Sequence, residues 1–348
     1  MKRGQVEEKD NQLILGIDLG TSRTAIRSNR GARAVFASIV GYPKDIMGMK
    51  LLKKEKLVGD EVFEKRSYLD SYYPLESGVI KETSESDLET AKDLIEYAVN
   101  LANPAEDDEI HAVIGVPARA SATSKETLLK LANEMMNVIL VVSEPFMVAY
   151  GMDKLERAII VDIGAGTTDI CALKGIIPIA EDHVTLPKAG DYVDKALIAL
   201  LLEKHPEIQM TKQLAKSIKE KHSFVGEIKE SAMVTFRENG KPKAYDVAKE
   251  IKAACEVLIT PIVEQIENLL VRYDPDDQED ALKNIYLAGN GSKIKGLDKA
   301  IETALKDYGE INVICIQDPD YAGCNGALKL AMDLPVSHWN QIGDVIGL

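Results

Sequence analysis

Aromatic side chains are scarce in this 348-residue chain: they make up 5% of it, with a single Trp. A core built with so few must be aliphatic, from Leu, Ile, Val and Ala. The four cysteines, Cys171, Cys255, Cys315 and Cys324, form no C-x-x-C pair and have no His close by. That excludes a zinc site and reads as reduced thiols in a cytoplasmic protein. No run reaches the roughly 18 to 20 apolar residues of a membrane span. The charged segment 1–12 has neither a signal-peptide core nor an amphipathic anchor, so no membrane insertion is expected. Positive charge is short as well: 42 Lys and Arg against 56 Asp and Glu leave −14. Such a surface argues against nucleic acid as a partner, because that binding rests on cationic side chains. The signature Gly-x-x-x-x-Gly-Lys-Ser/Thr is missing too, which excludes a P-loop NTPase.

What is present is one short pattern, written twice. Gly16-Ile17-Asp18-Leu19-Gly20-Thr21 and Val161-Asp162-Ile163-Gly164-Ala165-Gly166-Thr167-Thr168-Asp169 each close an apolar strand with an aspartate and continue into a glycine-spaced turn with hydroxyls. The aspartate puts a carboxylate at the strand's carboxyl end. The glycines let backbone N–H groups close on an anion without a Cβ in the way. One such turn is an ordinary feature. Two imply duplicated halves that grip one polyphosphate from both sides.

The rest of the chain supports two halves of like plan. Strands are expected at Leu13–Asp18, Thr24–Arg27, Ala34–Val40, His111–Pro117 and Val138–Val142, then again at Arg157–Asp162, Thr168–Lys174, Ile176–Thr185 and Ile285–Ala288. Helical spacing marks Ser86–Ala102, Ser124–Met136, Glu144–Leu155, Tyr192–Lys204 and Val247–Tyr273. Polar, Lys-rich texture from about Gly41 to Tyr73 and again from Pro206 to Asp246 reads as a small insertion in each half.

This order resembles the actin, heat-shock chaperone and sugar-kinase superfamily over about residues 13 to 332. The resemblance implies an α/β, actin-like (ribonuclease H-like) duplicated bilobed fold, with two mixed sheets flanked by helices. It divides the chain into subdomain IA (13–41, 74–157 and 318–348), IB (42–73), IIA (158–190 and 247–317) and IIB (191–246).

The resemblance also implies ATP or ADP with Mg2+ as the bound group. In the first loop it gives Asp18 the metal's water shell, and Gly20, Thr21, Ser22 and Arg23 the terminal phosphates. Ala25 stands near the phosphate-binding lysine of eukaryotic actin, so Arg23 is the side chain left to replace that contact. In the second loop Asp162 serves the water shell and the attacking water, while Gly164, Ala165, Gly166 and Thr167 hold phosphate. Glu144, in Ser143-Glu144-Pro145, matches the glutamate that activates the hydrolytic water in bacterial actins. Capping of a helix start is its other reading. Gly190 and Asp191 match the segment at the sugar, with Asp191 or Asp194 as its polar contact, and Lys216, Lys219 and Glu220 the helix that brackets adenine and ribose. Gly289, Asn290 and Gly291 match the loop under the base and α-phosphate. A lone Gly-x-Gly carries little weight; in this order it carries more.

Bacterial actins fit the length best, and among them the resemblance is closest to filament proteins that align magnetosome organelles. It implies an ATPase that polymerises with itself, in two strands, near magnetosome-associated proteins. Cell-shape or plasmid-segregation actins and a non-polymerising actin-like scaffold are the alternatives.

Overall fold

The structure, a computed structural model, describes residues 11–347. The expected N-terminal segment 1–12 therefore lies, up to residue 10, outside the described residues. The chain divides into two compact units. One is built from residues up to Val116, Ala120–Met152 and Gly323 onward; the other from Pro117–Arg119 and Asp153–Ala322.

The first unit is organised by Gln12–Leu19, whose Leu13, Leu15, Ile17 and Leu19 are all buried. This strand pairs parallel with Glu109–Val116 and antiparallel with Arg23–Ser28. The full sheet runs Asp344–Ile346, Val138–Ser143, Glu109–Val116, Gln12–Leu19, Arg23–Ser28, Arg33–Ala37. Helices Glu85–Asn100 and Ala122–Ala132 bury Leu94, Ile95, Ala98 and Leu128 in the same aliphatic core. Each starts on a serine, Ser84 or Ser121, whose hydroxyl accepts an early N–H of the helix. Within this unit an insertion forms its own three-stranded sheet of Leu57–Val58, Val40–Pro43 and Leu69–Tyr72. It carries helix Ile46–Leu52, capped by Asp45.

The second unit repeats the plan. Glu156–Ile163 pairs antiparallel with Thr168–Lys174 and parallel with Ile285–Ala288, and His183–Leu186 and Val313–Cys315 complete the five strands. Three strands in an antiparallel meander, then two parallel strands beyond the first, describe both sheets, and the first sheet adds Asp344–Ile346 as an antiparallel edge. The expected duplication is present in strand order. The second insertion holds helix Lys212–His222 and a hairpin, Met233–Glu238 with Lys241–Asp246.

Several expected elements differ. Ile176–Thr185 is a strand only from His183; Ile176, Ile177 and Ile179 are exposed. The helix from Glu144 stops at Gly151, and Asp153 turns left-handed at φ +56°. The single helix expected over Val247–Tyr273 is two, Ala248–Glu256 and Ile259–Leu270. Pro261 explains the break: it has no N–H for the carbonyl of Val257, and its ring crowds that turn. Trp339 is fully buried and donates to Leu334 O at 3.1 Å, so it packs within the first unit.

Candidate functional site

In the first unit the Gln12–Leu19 strand delivers Asp18 to its carboxyl end, in register with Gly115, which pairs in turn with Val142. Glu144 opens the helix just beyond that strand, with Pro145 in its first turn. Asp18 and Glu144 thus sit at the same edge of one sheet, two strands apart. Burial pushes Asp18 up to about 6. Its carboxylate lies against Gly323, in the first turn of helix Ala322–Asp333, where any Cβ would overlap the Asp18 oxygen. The turn after Asp18 is fastened by hydroxyls. Ser38 Oγ donates to Gly20 O at 2.7 Å and is 2.9 Å from Thr24 Oγ1, while Thr21 Oγ1 accepts from Gly78 N at 2.6 Å. Thr21 still has its own proton to donate. Ser22 follows in the turn, its carbonyl accepting from Ser38 N at 3.0 Å. Arg23 is half-exposed and reaches towards Asp60 of the insertion, at 4.0 Å.

In the second unit Asp162 lies directly across the hairpin from Asp169. It is also beside Gly289, whose φ of +66° and lack of a Cβ are both required, since a side chain there would overlap the Asp162 carboxylate. The Gly164–Thr167 turn closes on a 2.9 Å bond from Gly164 N to Thr167 O. Its other carbonyls meet the start of helix Gly190–Lys204: Gly190 N donates to Gly164 O at 3.1 Å and Asp191 N to Ala165 O at 2.7 Å. Those N–H groups would otherwise lack helical partners. Lys219 locks the junction, with Nζ 2.8 Å from Gly190 O and 2.9 Å from Asp194 Oδ1. Asp194 is buried, which pushes it up even with Lys219 beside it.

The structure therefore gathers Asp162, Gly164, Ala165, Gly166, Thr167, Gly190, Asp191, Lys219 and the Gly289 loop around one turn. Lys216 and Glu220 stand further out on helix Lys212–His222, 3.9 Å from each other. Asn290 is held by Asp320, to which its amide donates at 2.8 Å, and Lys293 reaches the same carboxylate at 2.7 Å. Sequence reading missed Gly323, Ser38 and Asp320, and it offered Asp194 only as the alternative to Asp191 at the sugar. The clustered glycines Gly323 and Gly326 at a helix start are a usable signal for the first; Ser38 and Asp320 carry none.

Among the described residues, no three His, Cys, Asp or Glu side chains form a direct metal-binding group, and no helix is long and apolar enough to cross a membrane.

Known proteins of similar sequence and shape complete the picture. Residues 12–336 match the family model of MreB/Mbl proteins. The actin-like protein MamK of Paramagnetospirillum magneticum is 54% identical over 347 residues, covering 100% of both chains. That of Magnetospirillum gryphiswaldense is 52% identical, covering 100% of this chain and 96% of the relative. Among solved structures, a MamK double helical filament matches with TM-score 0.92 at 54% identity, over 93% of this chain and 100% of the other. A non-polymerising MamK mutant bound to AMPPNP matches at 0.73 with 54% identity, over the same shares of the two chains.

Proposed function

This chain belongs to the MreB/Mbl family, and we propose that it is an actin-like ATPase that assembles head to tail into filaments and hydrolyses its nucleotide there. The observation that supports this best is the matched pair of loops. In each unit the central strand ends in an aspartate laid against a glycine that has no room for a Cβ, ahead of a turn rich in Gly and Thr. Each such loop suits a phosphate group. The four-part division into IA, IB, IIA and IIB goes with this reading.

Asp18 and Asp162 would hold hydrated Mg2+ through water; when bound, the ion neutralises phosphate charge and keeps both carboxylates ionised. A half-buried aspartate pushed up to about 6 by desolvation is the kind of group a nearby cation returns to its charged form. Gly20, Thr21, Ser22, Gly164, Ala165, Gly166 and Thr167 take the phosphates. Arg23, drawn towards Asp60, contributes charge at longer range. Gly190 and Lys219 act by shaping the second loop, leaving the Asp191 carboxylate, Lys216 and Glu220 for sugar and base, with Gly289, Asn290 and Gly291 beneath. Glu144 orients the in-line water and accepts its proton, with Asp162 assisting.

Assembly draws on exposed apolar side chains on each unit. Helix Ile46–Leu52 shows Ile46, Met47, Met49 and Leu51 to solvent, and the loop after Lys174 shows Ile176, Ile177 and Ile179. Apolar surface left in water in a monomer is a common mark of a protein contact. A contact between two different patches does not close on itself, and so propagates. Two-stranded filaments that align magnetosomes are the specific form we infer from the relatives.

The test is sedimentation and phosphate release with ATP and magnesium. Wild type is expected to pellet and release phosphate, while Glu144→Ala and Asp162→Ala pellet but release phosphate roughly 100-fold more slowly. Normal phosphate release from either variant removes that residue from the chemistry. A wild type that never pellets is a non-polymerising scaffold, and ATP use that needs an added acceptor is a kinase.

A further inference from the structure

Pro117–Arg119 is a three-residue excursion. Val116 before it ends a strand of the first unit, and Ala120 after it belongs to that unit again, yet these three residues pack with the second. Two backbone N–H groups hold this strap. Ala118 N donates to Asp169 Oδ1 at 2.8 Å, and Arg119 N donates to Thr185 Oγ1 at 3.0 Å. Thr185 in turn donates its hydroxyl proton to the same Asp169 oxygen at 2.5 Å. Asp169 is 1% exposed.

The other Asp169 oxygen is also buried. It makes no hydrogen bond to a described residue, although Thr167 stands close enough to favour the ionised carboxylate. Thr167 is part of the second phosphate loop. One carboxylate therefore holds the strap through one oxygen and stands beside the phosphate loop, with its other oxygen buried.

An asparagine here would satisfy Ala118 N and the Thr185 hydroxyl with a smaller desolvation cost. Only a carboxylate can accept from both sides at once.

We propose that Asp169 is a positioning residue that reports the state of the second phosphate loop to the Pro117–Arg119 strap. The strap is covalently continuous with the strand Glu109–Val116, so its hold is felt in the first unit. When Thr167 turns its hydroxyl to a terminal phosphate, Asp169 concentrates its charge on Ala118 N and Thr185, and the strap tightens. When that phosphate leaves, Thr167 competes again for the carboxylate, and the strap loosens. This inference rests on the nucleotide reading above.

The test is hydrogen exchange of the Ala118 and Arg119 amides in the full chain, with AMPPNP or ADP and magnesium. Local opening sets that rate, so wild type is expected to exchange about 5-fold more slowly with AMPPNP than with ADP. Thr185→Val should speed exchange in both states, Thr185→Val and Asp169→Asn should each shrink the ratio to below about 2-fold, and Thr185→Ser should restore it. Nucleotide affinity measured alongside should be unchanged in Thr185→Val, which separates a lost relay from a damaged fold. Equal wild-type exchange in the two states, or a ratio that survives in Thr185→Val, overturns the relay while leaving nucleotide binding intact. A wild type that binds no adenine nucleotide overturns the functional reading and the relay together.

Discussion

The two units carry the same loop in different fastenings. In the first, side-chain hydroxyls hold the turn: Ser38 on Gly20 O, and Thr21 receiving Gly78 N. In the second, backbone does the holding, as the first N–H groups of helix Gly190–Lys204 meet the carbonyls of Gly164 and Ala165. Even the glycine beneath the aspartate comes from different places. Gly323 belongs to a helix, Gly289 to the loop after a parallel strand. What repeats is the strand, its terminal carboxylate and the space beside it. The supports are free to differ so long as the turn keeps its shape.

Filling that space is the severest way to break the likeness. Gly289→Ala and Gly323→Ala are each expected to lower nucleotide affinity by roughly 100-fold, because overpacking against a fixed carboxylate costs about 3 kcal/mol. Gly289→Ala should be the worse of the two, as its left-handed backbone adds strain. Calorimetric titration with AMPPNP ranks them; near-native affinity in both would show that the carboxylates can move aside.

Next comes Lys219→Met, which leaves the buried Asp194 without its cation. A loss of about 2 kcal/mol in urea unfolding is expected, less than for a fully enclosed pair because Lys219 keeps some contact with solvent. The smallest effect belongs to Ser38→Ala, about 1 kcal/mol for lost hydroxyl bonds. If Ser38→Ala proves the more damaging, the hydroxyl fastening of the first loop outweighs the Lys219 fastening of the second.

How much of this was legible beforehand follows from what each feature depends on. The two Asp-Gly-Thr turns, the strands before them and the helix start at Glu144 could be read because they are local: apolar runs, glycine spacing and a proline in the first turn. Helix ends were poorly read where a single residue decided them, as Pro261 does and as the left-handed Asp153 does after Gly151. Ile176, Ile177 and Ile179 look like a buried strand by composition, but the sheet pairs only from His183. Lys219 was readable as a cation on a helix. Its engagement with Gly190 O and Asp194 was not, because no local pattern records a contact across helices. Asp169 stood out by position, and only the packing of Ala118 and Thr185 gives it partners.

The second unit is, apart from three residues, one unbroken stretch of chain from Asp153 to Ala322, whereas the first is assembled from pieces on both sides of it. A ribosome therefore finishes every strand of the second sheet before it has made the helix that lies against Asp18 or the strand Asp344–Ile346 that borders Val138–Ser143. The earliest-made sheet must wait longest for its last partners, holding an open edge in the meantime. The unit begun first is thus the one completed last.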